Sequence, residues 1–264
     1  MNKKFFPYMR PERYPHRLCP GCGHGIIQGA VIRALSELEL PLKDLVLVAG
    51  IGCAGNITNM YIKADTFHVT HGRPLAFATG IKVANPRLNI LVISGDGDLV
   101  SIGGNHLIHA ARRNINFTVI CANNSVYGTT GGQLASTTPL GAVTATTPQG
   151  NEEPPFDLCA LVKGAGGSYV ARCSVAQPQP LIKTLQKALL HKGFAFVDVL
   201  SICPVQFGRR NNLGTPAEML KELQKNSISL EKVSTLSSEA LRGKYVLGEF
   251  CADLQRTWSG YGPA

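Results

Sequence analysis

The 264-residue chain has no apolar run approaching the roughly 18 residues that a membrane-crossing helix needs. Its longest hydrophobic stretches have the length of buried strands. The opening segment, MNKKFFPYMRPERYPHR, carries charge but no continuous apolar region and no small-residue cleavage site, so it does not read as a secretory signal. Charged residues make up only 16% of the chain. The tightest basic pairs, Arg112-Arg113 and Arg209-Arg210, lack interleaved aromatics, which argues against a nucleic-acid surface. No internal repeat or low-complexity tract is present. These absences leave an ordinary cytoplasmic-type chain, 44% hydrophobic and long enough to bury a large core. Its net charge of +9 reads as a scattered basic surface that also suits an acidic protein partner.

The apolar residues that are there fall into short continuous runs. Leu45–Ala49, Asn89–Ser94, Phe117–Ala122 and Ala195–Leu200 read as strands, with helical spacing over 24–40, 75–84 and 178–191. A further helix starts near Gly103-Gly104 and runs through His106, His109 and Arg113. Continuous rather than alternating strands, separated by helices, indicate an α/β fold with a parallel sheet flanked by helices. Ligands of such sheets sit beyond the carboxyl ends of the strands. Near residue 205 the composition turns polar and basic. The reading is therefore a main domain over 1–204 and a C-terminal extension over 205–264, with Thr215-Pro216 as the cap and first residue of an exposed helix.

Two chemistries gather at the strand ends. Gly95-Asp96-Gly97 closes one strand and Asn123-Asn124 closes the next. Mg²⁺ takes octahedral oxygen ligation with one or two protein carboxylates. Asp96, the amide oxygen of Asn124 and the carbonyl of Val126 supply three oxygens, and a diphosphate and water supply the rest. The flanking glycines let backbone N–H groups face phosphate. The second chemistry is thiol. Eight cysteines without a secretory signal do not read as a disulfide framework. Cys19 and Cys22 form a C-x-x-C knuckle, while Cys53 and Cys203 each follow a strand. Four such thiolates suit a structural Zn²⁺ or an iron–sulfur cluster, and spacing does not separate the two. Cys121, Cys159, Cys173 and Cys251 read as plain thiols, and His24, His106 and His109 as structural histidines on or beside helices.

The segments SGDGDLVSIGGNHLIHAARRN and NNSVYGTTGGQLASTTP resemble the β subunits of 2-oxoacid:ferredoxin oxidoreductases, thiamine diphosphate enzymes. The resemblance spans about residues 15–212. It implies the thiamine diphosphate-binding (diphosphate-domain) fold, thiamine diphosphate held through Mg²⁺, and one 4Fe–4S cluster on Cys19, Cys22, Cys53 and Cys203. It also places Ile51, Gly52, Ala54, His71, Gly97, Asp98, Gly128 and Thr129 beside the cofactor. Gly131 stands where pyruvate-type members carry lysine, and PLGAVTATTPQGN and FGRRNNLGTPAEML look more like 2-oxoglutarate members. The implied activity is oxidative decarboxylation of a 2-oxoacid with coenzyme A, or the reverse CO₂ fixation, with electrons passing to ferredoxin. The resemblance assigns the aminopyrimidine-activating glutamate to a separate α subunit and leaves room for small γ and δ subunits. The competing readings are a non-redox thiamine diphosphate lyase or carboligase with structural zinc, and a non-catalytic electron-transfer or assembly subunit that keeps the cluster but not the cofactor. The intact Gly97, Asp96 and Asn124 argue against the latter.

Overall fold

The computed structural model of the chain describes residues 3–258. Its core is an eight-stranded sheet in the order β2-β1-β3-β4-β8-β7-β10-β9. The six strands that make up the first part of this order are β1 (Leu45–Ala49), β2 (Asp65–His68), β3 (Asn89–Gly95), β4 (Phe117–Asn123), β7 (Tyr169–Ser174) and β8 (Phe194–Leu200), completed at the far edge by β9 (Ser227–Ser229) and β10 (Tyr245–Ala252). All neighbours pair in parallel except β7 and β10. A small separate hairpin pairs β5 (Val126–Tyr127) with β6 (Gln133–Leu134).

Strand periodicity sends alternate residues to opposite faces, so a continuous apolar run serves two cores at once. In β4, Ile120 and Ala122 join the layer built on α1 (Gly23–Glu37) and α6 (Pro178–Leu190). Val119 and Cys121 join the opposite layer under α3 (Pro74–Ala84), α4 (Gly104–Arg113) and α5 (Leu158–Gly164). Every residue of β1, β4 and β8 is buried. Each large aliphatic or aromatic side chain so buried contributes about 1.5–3 kcal/mol, which holds the helical layers on the sheet.

The α/β expectation holds, with differences at the ends of elements. The first helix stops at Glu37 rather than continuing to Leu40, because Glu39 turns to a positive φ of 51°. The stretch before α4 is a π-helical turn over Gly97–Ile102. The strand β2 is exposed at the sheet edge, lacks a buried apolar run, and is legible only from its pairing with β1. Beyond residue 205 the chain continues through α7 (Pro216–Lys225), where Thr215 and Glu218 form a capping box, and α8 (Ser238–Leu241). It then returns as β10, whose antiparallel pairing with β7 makes this segment part of the main sheet. Among the described residues no helix is long and apolar enough to cross a membrane.

Candidate active site

The sheet order sets β1, β3, β4 and β8 side by side, so the loops leaving their carboxyl ends meet. The loops after β1, β3 and β4 line one cleft at the carboxyl end of the sheet, where α/β folds bind ligands. Ile51, Gly52, Cys53 and Ala54 come from the β1 loop, Asp96, Gly97 and Asp98 from the β3 loop, and Asn124, Val126, Gly128 and Thr129 from the β4 loop. His71 closes one side. Residues widely separated in the chain thus share one wall because parallel strands deliver their ends in the same direction.

Asp96 is 1% exposed and accepts a hydrogen bond from the Thr137 hydroxyl. Burial pushes its carboxyl up to about 6, although that hydroxyl and the backbone N–H groups of Asp96, Gly97 and Asn124 pull the other way. It takes part in no ion pair among the described residues. Once ionised it is a buried charge with only neutral donors around it, a situation that a bound divalent cation relieves. Asn124, at the end of the adjacent strand, lines the same cleft, and its side-chain oxygen accepts from the Val126 N–H at 3.3 Å. The donor set is hard oxygen, which fits Mg²⁺.

Asp98 has a different task. One carboxylate oxygen accepts from His71 Nδ1 and from the Gly72 N–H at 2.6 Å; the other accepts from the Ser94 hydroxyl at 2.5 Å. The carboxylate therefore ties the His71 loop to β3. The π-helical turn, closed by Gly103 N–H to the Asp98 carbonyl at 3.0 Å, carries that side chain back into the sheet. Tyr127 meets His71 edge-on at 5.9 Å between ring centroids and donates its hydroxyl to the Gly97 carbonyl at 3.0 Å. A Cβ on Gly97 would stand 2.5 Å from the Tyr127 ring, so only glycine admits this packing.

The thiols border the same cleft. A Cβ on Gly128 would lie 3.4 Å from Cys53 Sγ and 3.9 Å from Cys203 Sγ, so these two face one point. Burial pushes the Cys22 thiol up to about 12, with further upward contributions from Cys53, Cys203 and Cys19. All eight cysteines are free. Among the described residues no three His, Cys, Asp or Glu side chains are drawn together as the ligands of a single ion. Cys121, Cys159 and Cys173 are buried in the cores, as ordinary thiols are.

One residue of the wall escaped the sequence reading, which left His24 as a structural helix histidine. It is 0% exposed, lines the cleft, and has Nδ1 3.0 Å from Cys22 Sγ. Burial lowers its imidazole to about 4, leaving it neutral near pH 7. Its position directly after C-x-x-C-G was the available signal. His106 and His109 instead lie on α4 away from the cleft.

Residues 50–199 match the thiamine pyrophosphate enzyme C-terminal TPP-binding domain. The chain is 47% identical over 259 residues to 2-oxoglutarate synthase subunit KorB of Methanothermobacter marburgensis, covering 97% of this chain and 90% of that one. It belongs to the 2-oxoacid:ferredoxin oxidoreductase β subunits. A further relative, the β subunit of 2-oxoacid:ferredoxin oxidoreductase 2 of Aeropyrum pernix, is 42% identical over 186 residues, or 70% of this chain and 60% of its own. The solved 2-oxoglutarate:ferredoxin oxidoreductase from Magnetococcus marinus, with 2-oxoglutarate, coenzyme A and succinyl-CoA bound, matches this β subunit with a TM-score of 0.85 at 31% identity. That match covers 97% of this chain and 87% of the other. These relatives are oxidoreductases, so the non-redox lyase reading has no support among them. The β subunit carries a thiamine diphosphate-binding domain, and the cleft at the strand ends lies within the matched residues apart from His24.

Proposed function

We propose that this β subunit serves a coenzyme A-dependent 2-oxoglutarate:ferredoxin oxidoreductase, in the cytoplasm and together with an α subunit. The observation that carries the reading is the buried, unpaired carboxylate of Asp96 in a cleft whose wall also holds Cys53. Asp96, Asn124 and the Val126 carbonyl would hold Mg²⁺, and through it the diphosphate of the cofactor. Ile51, Gly52, Ala54, His71, Gly97, Asp98, Gly128 and Thr129 would contact or frame the cofactor, with Asp98 fixing the His71 loop. Thiamine diphosphate supplies the electron sink for decarboxylation, and a 4Fe–4S cluster on Cys19, Cys22, Cys53 and Cys203 supplies a one-electron outlet.

The chain's own residues bring these two groups together. Gly128 keeps side-chain bulk away from the Cys53 and Cys203 sulfurs, and Gly97 lets Tyr127 close over the cofactor wall. The preference for 2-oxoglutarate rests on the names of the relatives and on the loop in which Gly131 replaces a lysine. There the Arg210 guanidinium donates to the Gly131 carbonyl at 3.1 Å. The net charge of +9 offers ferredoxin, as an acidic partner, a complementary surface. The α subunit would complete the pocket, with small γ or δ subunits as further members of the assembly.

The test is anaerobic purification with the native partner subunits, followed by assays of iron, acid-labile sulfide, zinc and thiamine. We expect about four irons on this chain and bound thiamine diphosphate, with ferredoxin reduction driven by 2-oxoglutarate and coenzyme A. Zinc in place of iron would overturn the redox reading. Faster turnover of pyruvate than of 2-oxoglutarate would overturn the substrate assignment.

A further inference from the structure

His24 sits where the thiols and the cofactor cleft meet. Its Nδ1 is 3.0 Å from Cys22 Sγ, and its ring lines the cleft. Its Nε2 is buried and has no hydrogen-bond partner among the described residues. An unpaired ring nitrogen in a fully buried side chain costs about 1–3 kcal/mol, so its place at a ligand cleft needs a reason.

The donor and acceptor roles follow from the neighbours. A cysteine that ligates iron is a thiolate and can only accept. Nδ1 must then carry the proton and donate to Cys22 Sγ. A neutral imidazole has one donor and one acceptor, so Nε2 is left with a bare lone pair at the cleft. The only N–H donor that thiamine diphosphate offers is the exocyclic amino group of its pyrimidine ring. We infer that His24 is a positioning residue that bridges the two cofactors, donating from Nδ1 to the Cys22 thiolate and accepting at Nε2 from the cofactor's amino group. This inference rests on the proposed function, because it needs both the cluster and thiamine diphosphate.

Each half has its own consequence. A hydrogen bond to a cluster sulfur stabilises the more negative, reduced cluster, so losing it lowers the reduction potential. Losing the Nε2 acceptor removes one hydrogen bond from the thiamine cofactor. Two amide variants separate these halves, because an Asn side-chain nitrogen replaces Nδ1 while a Gln side chain reaches the place of Nε2.

The experiment uses the assembled α/β complex, first assayed for iron and thiamine in its unsubstituted form. The cluster potential is then read by EPR-monitored redox titration, and Mg²⁺–thiamine diphosphate affinity by calorimetry on cofactor-stripped complex. His24→Asn should keep the potential and weaken cofactor affinity roughly three- to tenfold, the worth of one hydrogen bond. His24→Gln should lower the potential and keep the affinity within about twofold. Variants that move both readouts together, or neither, would show a packing role and overturn the inference. A third measurement needs no variant. Pulsed EPR of the reduced cluster in complex labelled with ¹⁵N-histidine should show a nitrogen coupling, and its absence would overturn the Cys22 half. Failure to find iron or thiamine in the unsubstituted complex would instead sink the proposed function, and this bridge with it.

Discussion

Replacing Asp96 with Asn should stabilise the cofactor-free protein while abolishing its response to metal. The carboxyl is 1% exposed and held at about 6 instead of its ordinary 3.8. That difference corresponds to about 3 kcal/mol between its two protonation states. The folded state binds this proton more tightly than the unfolded state, so stability falls as pH rises from about 4 to about 6, and the full penalty applies above that. Asparagine has the same shape and no charge, but it gives up part of the bonding to the Thr137 hydroxyl and the neighbouring N–H groups, at about 1 kcal/mol. The net gain for Asp96→Asn is about 1–2 kcal/mol at pH 8, or roughly 2–8 °C in Tm. The assay is thermal unfolding of chelator-treated, thiamine-free complex at pH 5 and pH 8, repeated with Mg²⁺ and thiamine diphosphate. The unsubstituted protein should lose stability between these pH values and regain it with the ligands. The variant should show neither effect. A variant less stable than the parent at pH 8 without ligands, or one that gains as much from Mg²⁺ and thiamine diphosphate, would refute the reasoning.

Gly97→Ala places a methyl group 2.5 Å from the Tyr127 ring, so the ring must move and its bond to the Gly97 carbonyl is lost. A destabilisation of about 1–3 kcal/mol in denaturant unfolding is expected, with thiamine diphosphate affinity reduced. Arg172→Ala removes the partner that bonds buried Asp198 at 2.8 Å, and should cost about 3–5 kcal/mol in the same assay. Electron transfer to ferredoxin should slow as salt rises from 0.05 to about 0.5 M, because screening weakens attraction to a basic surface. A rate indifferent to salt would remove the electrostatic role of the +9 charge.

Local chemistry made much of the frame legible before any coordinates. The runs at 45–49, 89–94, 117–122 and 195–200 read as strands buried on both faces; the ends of the first three build the cleft, and the fourth leads to Cys203 beside it. Glycine, aspartate and asparagine at those ends marked where a diphosphate and its metal would approach. Thr215-Pro216 announced its helix because capping is a contact between near neighbours in the chain. Long-range pairing escaped the same logic. The strands β2 and β10 have partly exposed, irregular patterns, and their place is set by the partners β1 and β7.

By itself the sequence determined the parallel α/β frame, the strand-end loops and the family motifs, since each depends on periodicity or on residues close together in the chain. Only the tertiary structure decided how distant groups divide their work. It brought Cys22, Cys53 and Cys203 into mutual influence, committed Asp98 to the His71 loop while Asp96 stayed unpaired, and turned His24 into the cleft wall. Those outcomes depend on which donors a buried group finds around it, and that is a property of packing between elements far apart in sequence.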